Sequence, residues 1–166
     1  MKEVILSPEE LFFLARKMKA KYLDYEYLSL MGDIQNDIDV KEEKAKESLS
    51  SKGFVEEDFE GNIEVENDVV ELLNPVFFGT IECLIKKQDN IKLHVFKDSI
   101  TQCLKTEAGL SLKRVSSEDI SDILTGDLEL QCANTEKGTY IQRYTAEDLM
   151  DSSKKEEVIK IARGEW

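Results

Sequence analysis

From Ile81 to Leu112 apolar and polar residues alternate, and no other stretch restricts the fold so tightly. Ile81, Cys83 and Ile85 alternate with Glu82 and Leu84; Ile91, Leu93 and Val95 alternate with Lys92 and His94; Ile100, Gln102 and Leu104 follow, and Leu110 and Leu112 close the series. A period of two marks a strand, whose successive side chains point to opposite faces. The alternation breaks near Gln88-Asp89-Asn90, Lys97-Asp98 and Glu107-Ala108-Gly109, polar clusters suited to turns. The pattern predicts an antiparallel meander of about four strands. Its apolar face, taken as Ile81, Cys83, Leu93, Val95 and Leu104, needs cover, and the helical segments on either side in sequence, residues 8–22 and 117–125, are the expected source. The fold class is therefore α+β, with helices flanking the meander. The chain has 166 residues, no linker rich in Pro or Gly and no internal repeat, so one domain spanning 1–166 is expected.

Before the meander the sequence predicts a helix, helix, hairpin unit. Ser7-Pro8-Glu9-Glu10 has an N-cap serine, a proline at the first helical position and a glutamate placed to close a capping box. Leu11, Leu14, Ala15, Met18 and Tyr22 continue it as one apolar stripe. Between Asp24 and Val40, Tyr25, Tyr27, Leu28, Leu30 and Met31 fit either a helix or a short strand, and the choice stays open. Asp39-Val40-Lys41-Glu42 repeats the capping pattern and Gly53 supplies a stop, which predicts a helix over about 40–52. Phe54-Val55 and Ile63-x-Val65 bracket a turn at Glu60-Gly61-Asn62, which predicts a hairpin. Asn67 is placed to cap a short helix ending before Pro75. Beyond the meander, Ser116 or Ser117 caps a helix stopped at Gly126, Leu128, Leu130 and Cys132 alternate briefly, and Asn134 to Gly138 forms a turn before Tyr140-Ile141. A last amphipathic segment opens at Thr145, breaks at Asp151-Ser152-Ser153 and ends in Val158, Ile159, Ile161 and Trp166; core packing is preferred over a partner-binding face for its apolar edge.

Charge narrows the function. Between Gly53 and Ile85 there is no Lys or Arg, yet Glu56, Glu57, Asp58, Glu60, Glu64, Glu66, Asp68, Glu71 and Glu82 are all acidic, and the chain's formal net charge is -13. A field of that sign repels nucleic-acid phosphate and anionic membranes, so a protein partner with a cationic or mixed surface is expected. The helix of 40–52 with its hairpin would otherwise suggest a winged-helix regulator reading DNA through Lys41, Lys44, Lys46 and Lys52. Glu42, Glu43, Glu47, Glu56 and Glu57 surround those lysines and roughly cancel their field. That regulator is kept as the alternative function.

No constellation of nucleophile, base and orienting group can be assembled from the motifs, so an enzyme is not expected and no catalytic, cofactor-binding or metal-binding residue is assigned. His94 is the single histidine; a surface or packed structural role is preferred over a general base. Cys83, Cys103 and Cys132 are far apart and lack CxxC spacing, so they read as buried thiols of a reducing compartment. Asp58-Phe59-Glu60-Gly61-Asn62 lacks the spacing of a calcium loop, and neither GxGxxG nor GxxxxGK[ST] occurs, so no cofactor is expected. Met1 to Leu6 is too short for a signal peptide and no apolar run reaches a membrane span, which makes the cytoplasm the expected location.

Two segments together carry a resemblance. Leu6-Ser7-Pro8-Glu9-Glu10-Leu11-x-x-Leu14-Ala15, and Leu49-x-x-Lys52-Gly53-Phe54-Val55 followed by Gly61-Asn62-Ile63-x-Val65 and a helix leading to Pro75, resemble the N-terminal half of the EspG-like chaperones associated with type VII (ESX) secretion, over about the first 115 residues. The resemblance implies an antiparallel sheet with surrounding helices and a cytosolic chaperone or adaptor that binds a helical secretion substrate or the export machinery. Members of that family are similar to two related halves fused, whereas this chain has room for little more than one. The resemblance therefore also implies a two-fold homodimer that replaces the missing half, and it transfers no binding-site residue.

Overall fold

The computed structural model describes residues 3–29 and 36–166. In chain order the elements are β1 (Glu3–Leu6), α1 (Pro8–Lys17), α2 (Tyr25–Ser29), α3 (Ile38–Ser51), β2 (Val55–Glu57), β3 (Ile63–Val65), α4 (Asn67–Phe78), β4 (Ile81–Lys86), β5 (Asn90–Phe96), β6 (Ser99–Thr106), β7 (Gly109–Val115), α5 (Asp119–Ile123), β8 (Glu129–Asn134), β9 (Tyr140–Thr145), a 3-10 turn (Asp148–Met150) and α6 (Ser152–Ala162). The fold is α+β, and the predicted meander is β4 to β7, each strand antiparallel to the next. The sheet is wider than the meander: β1 adds to β7, and β8 and β9 add beside β4, giving seven strands in the order β1-β7-β6-β5-β4-β8-β9. The predicted hairpin, β2 and β3, stands apart as a two-stranded sheet.

Several element ends differ from the sequence expectation, each for a local reason. The capping box at Ser7 and Glu10 is formed, but α1 stops at Lys17 and does not reach Tyr22. Lys19 takes a φ of 55°, and the Ala20 N–H turns back to the Ala15 carbonyl. Lys21 and Tyr22 then donate their N–H groups to the Phe77 carbonyl at 3.1 and 2.9 Å, so this segment caps α4 instead of extending α1. The open segment is helical over Tyr25–Ser29, while Leu30 and Met31 lie outside the described residues. Asp39 is not a cap: α3 starts at Ile38, and Asp39 sits in the first turn, where its charge favours the helix N-terminus. Glu66, not Asn67, caps α4, its carboxylate accepting from the Val69 N–H at 3.3 Å. That helix also runs through Pro75 to Phe78. Proline there forfeits one N–H, whereas ending the helix would expose Val76 and Phe77, which are fully buried. The break near residue 151 is the N-cap of α6, Asp151 accepting from the Ser153 N–H at 2.9 Å.

Both faces of the sheet are covered, by different helices. One core joins Val4, Leu6, Cys103, Leu110 and Leu112 of the sheet to residues of α1, α3 and α4. The other joins Ile81, Cys83, Ile85, Leu93, Val95, Leu130 and Cys132 to Ile120 and Leu124 at α5 and to Val158, Ile161 and Ala162 of α6. The two helical segments expected to cover one apolar face thus lie in opposite cores. Ile81, Cys83, Leu93 and Val95 share a buried face as expected. Leu104 faces Ile91 across the β5–β6 ladder, and both are only half-buried. Two glycines allow close crossings. A side chain on Gly109 (φ 135°) would meet the Leu6 carbonyl at 2.3 Å, where β1 meets β7, and one on Gly79 would meet the Pro75 and Val95 carbonyls at 2.4 Å, where α4 passes over β5.

Candidate functional site

Antiparallel register sets Glu82, Lys92 and His94 on one face of the meander. Glu82 lies opposite His94, and His94 opposite Thr101; in the next row Leu84 lies opposite Lys92, and Lys92 opposite Cys103. Above these rows sits α2, reached through the segment that the Phe77 carbonyl holds at Lys21 and Tyr22. Asp24, whose carboxylate accepts from the Glu26 N–H at 3.0 Å, thereby points at Lys92. The Lys92 ammonium lies 2.5 Å from Asp24, 3.0 Å from Glu82 and 3.7 Å from Glu26. Tyr27 reaches deeper, with its hydroxyl 2.8 Å from His94 Nε2 and its ring edge-on to the imidazole. Three strands, one short helix and one loop therefore bring Asp24, Tyr27, Glu82, Lys92, His94 and Cys103 together, and Asp24, Glu82, Lys92 and His94 line a cavity of about 480 Å³.

Burial and mutual charge shift each group of this cluster from its ordinary pKa. Burial disfavours the Lys92 ammonium, but Asp24 and Glu82 outweigh it and raise its pKa above the usual lysine value. Burial also opposes the Asp24 carboxylate, and Lys92 overcomes it and holds the pKa below the ordinary carboxylate value. For Glu82, burial wins over Lys92 and the pKa is raised. Burial, with the charge of Lys92 adding to it, depresses His94 to about 4, so its imidazole is neutral. Burial pushes the Cys103 thiol up to about 12 and raises the Tyr27 phenol as well. A histidine base poised near 7 or an activated thiolate would need shifts opposite to those of His94 and Cys103.

Asp24, Glu82 and His94 also form the one group of three metal-ligand types among the described residues, with ligand atoms within 4.8 Å of one another. Lys92 already supplies a cation there, in contact with both carboxylates. A divalent ion would have to displace that ammonium. The arrangement therefore acts as an internal ion-pair network tying α2 and its leading loop to β4 and β5, with Lys92 in the place of a metal.

The remaining candidates lie apart from this cluster. Cys103 faces it, whereas Cys83 and Cys132 face the opposite core. The acidic hairpin closes on itself: Asp58 accepts from the Glu60 and Asn62 N–H groups at 2.9 and 2.8 Å and from the Asn62 side chain at 3.2 Å, leaving Phe59 fully exposed at its tip. On α3, Lys46 pairs with Glu43 and Glu57, and at its C-terminal end Lys52 pairs with Glu10 at 2.9 Å. Sequence reasoning missed Asp24, Tyr27, Glu82 and Lys92. The available signal was the ionic character of Glu82 and Lys92 inside a buried sheet, which alternation alone reads as a solvated face.

Next to the cluster, a groove of about 500 Å³ is lined by Tyr22, Phe78, Phe96 and Trp166 together with Lys21, Lys97, Asn134 and Glu136. Lys21 lies over the Tyr22 ring and Lys97 over the Phe96 ring, at 5.4 and 5.2 Å. Tyr140 of β9 packs edge-on against Trp166 at 5.7 Å. No protein-family model matches the chain, and no curated protein matches it either. No helix among the described residues is long and apolar enough to cross a membrane.

Proposed function

We propose that this chain is a cytosolic protein-binding module, a chaperone or adaptor of the EspG-like kind that holds a helical segment of a secretion substrate. The observation that carries this reading is the aromatic groove of Tyr22, Phe78, Phe96 and Trp166. A groove lined by half-buried aromatics with charged residues beside them suits an amphipathic helix, and aromatic anchors supply a large share of the energy in such contacts. The neutral imidazole of His94 and the protonated thiol of Cys103 in the neighbouring cluster also favour binding over catalysis. The winged-helix alternative is disfavoured because Lys46 and Lys52 are engaged by carboxylates and the hairpin that would serve as the wing is acidic.

The test is affinity purification of the tagged full chain from its native cell, compared with a Trp166→Ala, Lys97→Glu variant whose fold is checked by circular dichroism. A helical protein retained by the wild type and lost by the variant is the expected result. Equal retention by both would reject the groove as the binding surface, and duplex DNA binding that weakens with salt would favour the regulator. The same reading proposes a two-fold homodimer. The outer edge of β9, with Tyr140 and Ile141 exposed at 52% and 42%, offers a second copy an unpaired strand. Light scattering giving the mass of one chain at tens of micromolar would remove the dimer from the proposal.

A further inference from the structure

We propose that Cys83 and Cys132 are a modification site: hydrogen peroxide converts them to a disulfide that staples β4 to β8, and the sheet accepts the bond without rearrangement. The two residues face each other in register across antiparallel strands, and their sulfurs are 3.2 Å apart. Directly opposed residues in an antiparallel pair have Cα atoms about 4.5 or 5.5 Å apart, depending on which kind of pair they form. Disulfides span Cα separations of about 4.4 to 6.8 Å, so either kind fits. Closing the sulfurs to a bond of about 2.05 Å needs movement of about 1 Å, within reach of small side-chain rotations.

The chemistry balances with peroxide as the oxidant. One thiol gives up its proton and the thiolate attacks a peroxide oxygen; the S–O bond forms, the O–O bond breaks, and the departing hydroxide takes up that proton and leaves as water, giving a sulfenic acid. The second sulfur attacks the first, the S–S bond forms, the S–O bond breaks, and the departing hydroxide leaves as water with the second thiol's proton. Two thiols and one peroxide thus give one disulfide and two waters. Cys83 and Cys132 are 1% and 0% exposed, so the neighbouring thiol is the nearest nucleophile to any sulfenic acid formed there. The hydrogen bond from Cys132, together with burial, raises the Cys83 thiol well above its ordinary range, which makes the reaction slow at neutral pH. Cys103 is an internal control: it is equally buried but faces Lys92 and Leu112 across its ladders, not a thiol. The staple would close a loop between residues 49 apart in sequence and restrain the separation of β8, with its edge strand β9, from β4.

The experiment treats the folded full chain with hydrogen peroxide, alkylates the remaining thiols after denaturation, and maps tryptic peptides by mass spectrometry. The cysteines fall in three separate peptides, 53–86, 98–105 and 115–137. The expected product is the first peptide joined to the third, two hydrogens lighter than their sum and separated by dithiothreitol. Its parent protein should melt at a higher temperature than the reduced form. Cys83→Ser should abolish the link, and a folded Cys103→Ser should keep it. Three alkylated thiols after prolonged treatment, oxidation of Cys83 or Cys132 to sulfinic acid in place of a link, or a link through Cys103 would each overturn the proposal.

Discussion

The two faces of β4 and β5 come from the same alternating residues and are held by different physics. On one face Ile81, Cys83, Leu93 and Val95 meet α5 and α6 in an apolar core. On the other, Glu82, Lys92 and His94 meet Asp24 and Tyr27 in a network of ion pairs and hydrogen bonds. Apolar packing is non-directional and indifferent to pH, whereas a buried ionic network depends on every partner staying in place and in its charge state. The difference shows that a covered sheet face need not be apolar if its charges are paired.

The largest expected effect falls on the apolar face. Leu93→Ala should lose about 3 to 4 kcal/mol through lost burial and a residual cavity. Urea midpoints should show the same loss at pH 5 and pH 8, and a pH-dependent loss would blur the contrast between the faces.

The polar face should respond to acid. An unfolded histidine titrates near about 6.5, and folded His94 near about 4. Between those values the unfolded chain binds a proton that the folded chain refuses. The stability from neutral His94 is therefore full above about pH 6.5 and is lost as the pH falls toward about 4, by up to about 3 kcal/mol. Glu82 acts the other way: its raised pKa contributes stability at low pH that is lost as the pH rises through its folded value. Comparing wild type with His94→Gln separates the two, since Glu82 is common to both. A steeper acid loss in the wild type is expected, and parallel profiles would show that His94 is not the acid-sensitive group.

Lys92→Met leaves Asp24 and Glu82 close together with no ammonium between them. A loss of about 2 kcal/mol is expected, moderated because water reaches Glu82. The loss should shrink at acid pH as the carboxylates protonate. If the variant instead binds zinc in calorimetry where the wild type does not, Lys92 stands in a metal's place. The smallest effect is expected for Tyr27→Phe, which removes the hydroxyl from His94 Nε2 and should cost about 1 kcal/mol. No change in the thermal midpoint would mean that this hydrogen bond adds nothing net.

The strands and turns of the meander, the capping box at Ser7 and Glu10, the helix of α3 and the hairpin were legible because each rests on interactions within a few residues along the chain; β1 was not, because it is a strand only through its pairing with β7. The ends of α1 and α4 were not. Both depend on the Phe77 carbonyl accepting the N–H groups of Lys21 and Tyr22, a contact more than fifty positions apart in sequence. The ionic cluster was hidden for the same reason. Asp24 and Lys92 carry no mutual signal until the register of β4 and β5 and the path over α4 bring them together.

The sequence by itself determined which residues share a side of each strand of the meander, and a formal net charge of -13, because alternation and charge are properties of the chain as written. Only the tertiary structure decided that both sides of the sheet would be covered. It placed Lys92 between two carboxylates, set Cys83 against Cys132 and opened an aromatic groove beside the cluster. Those outcomes depend on which distant segments meet, and local periodicity carries no record of that.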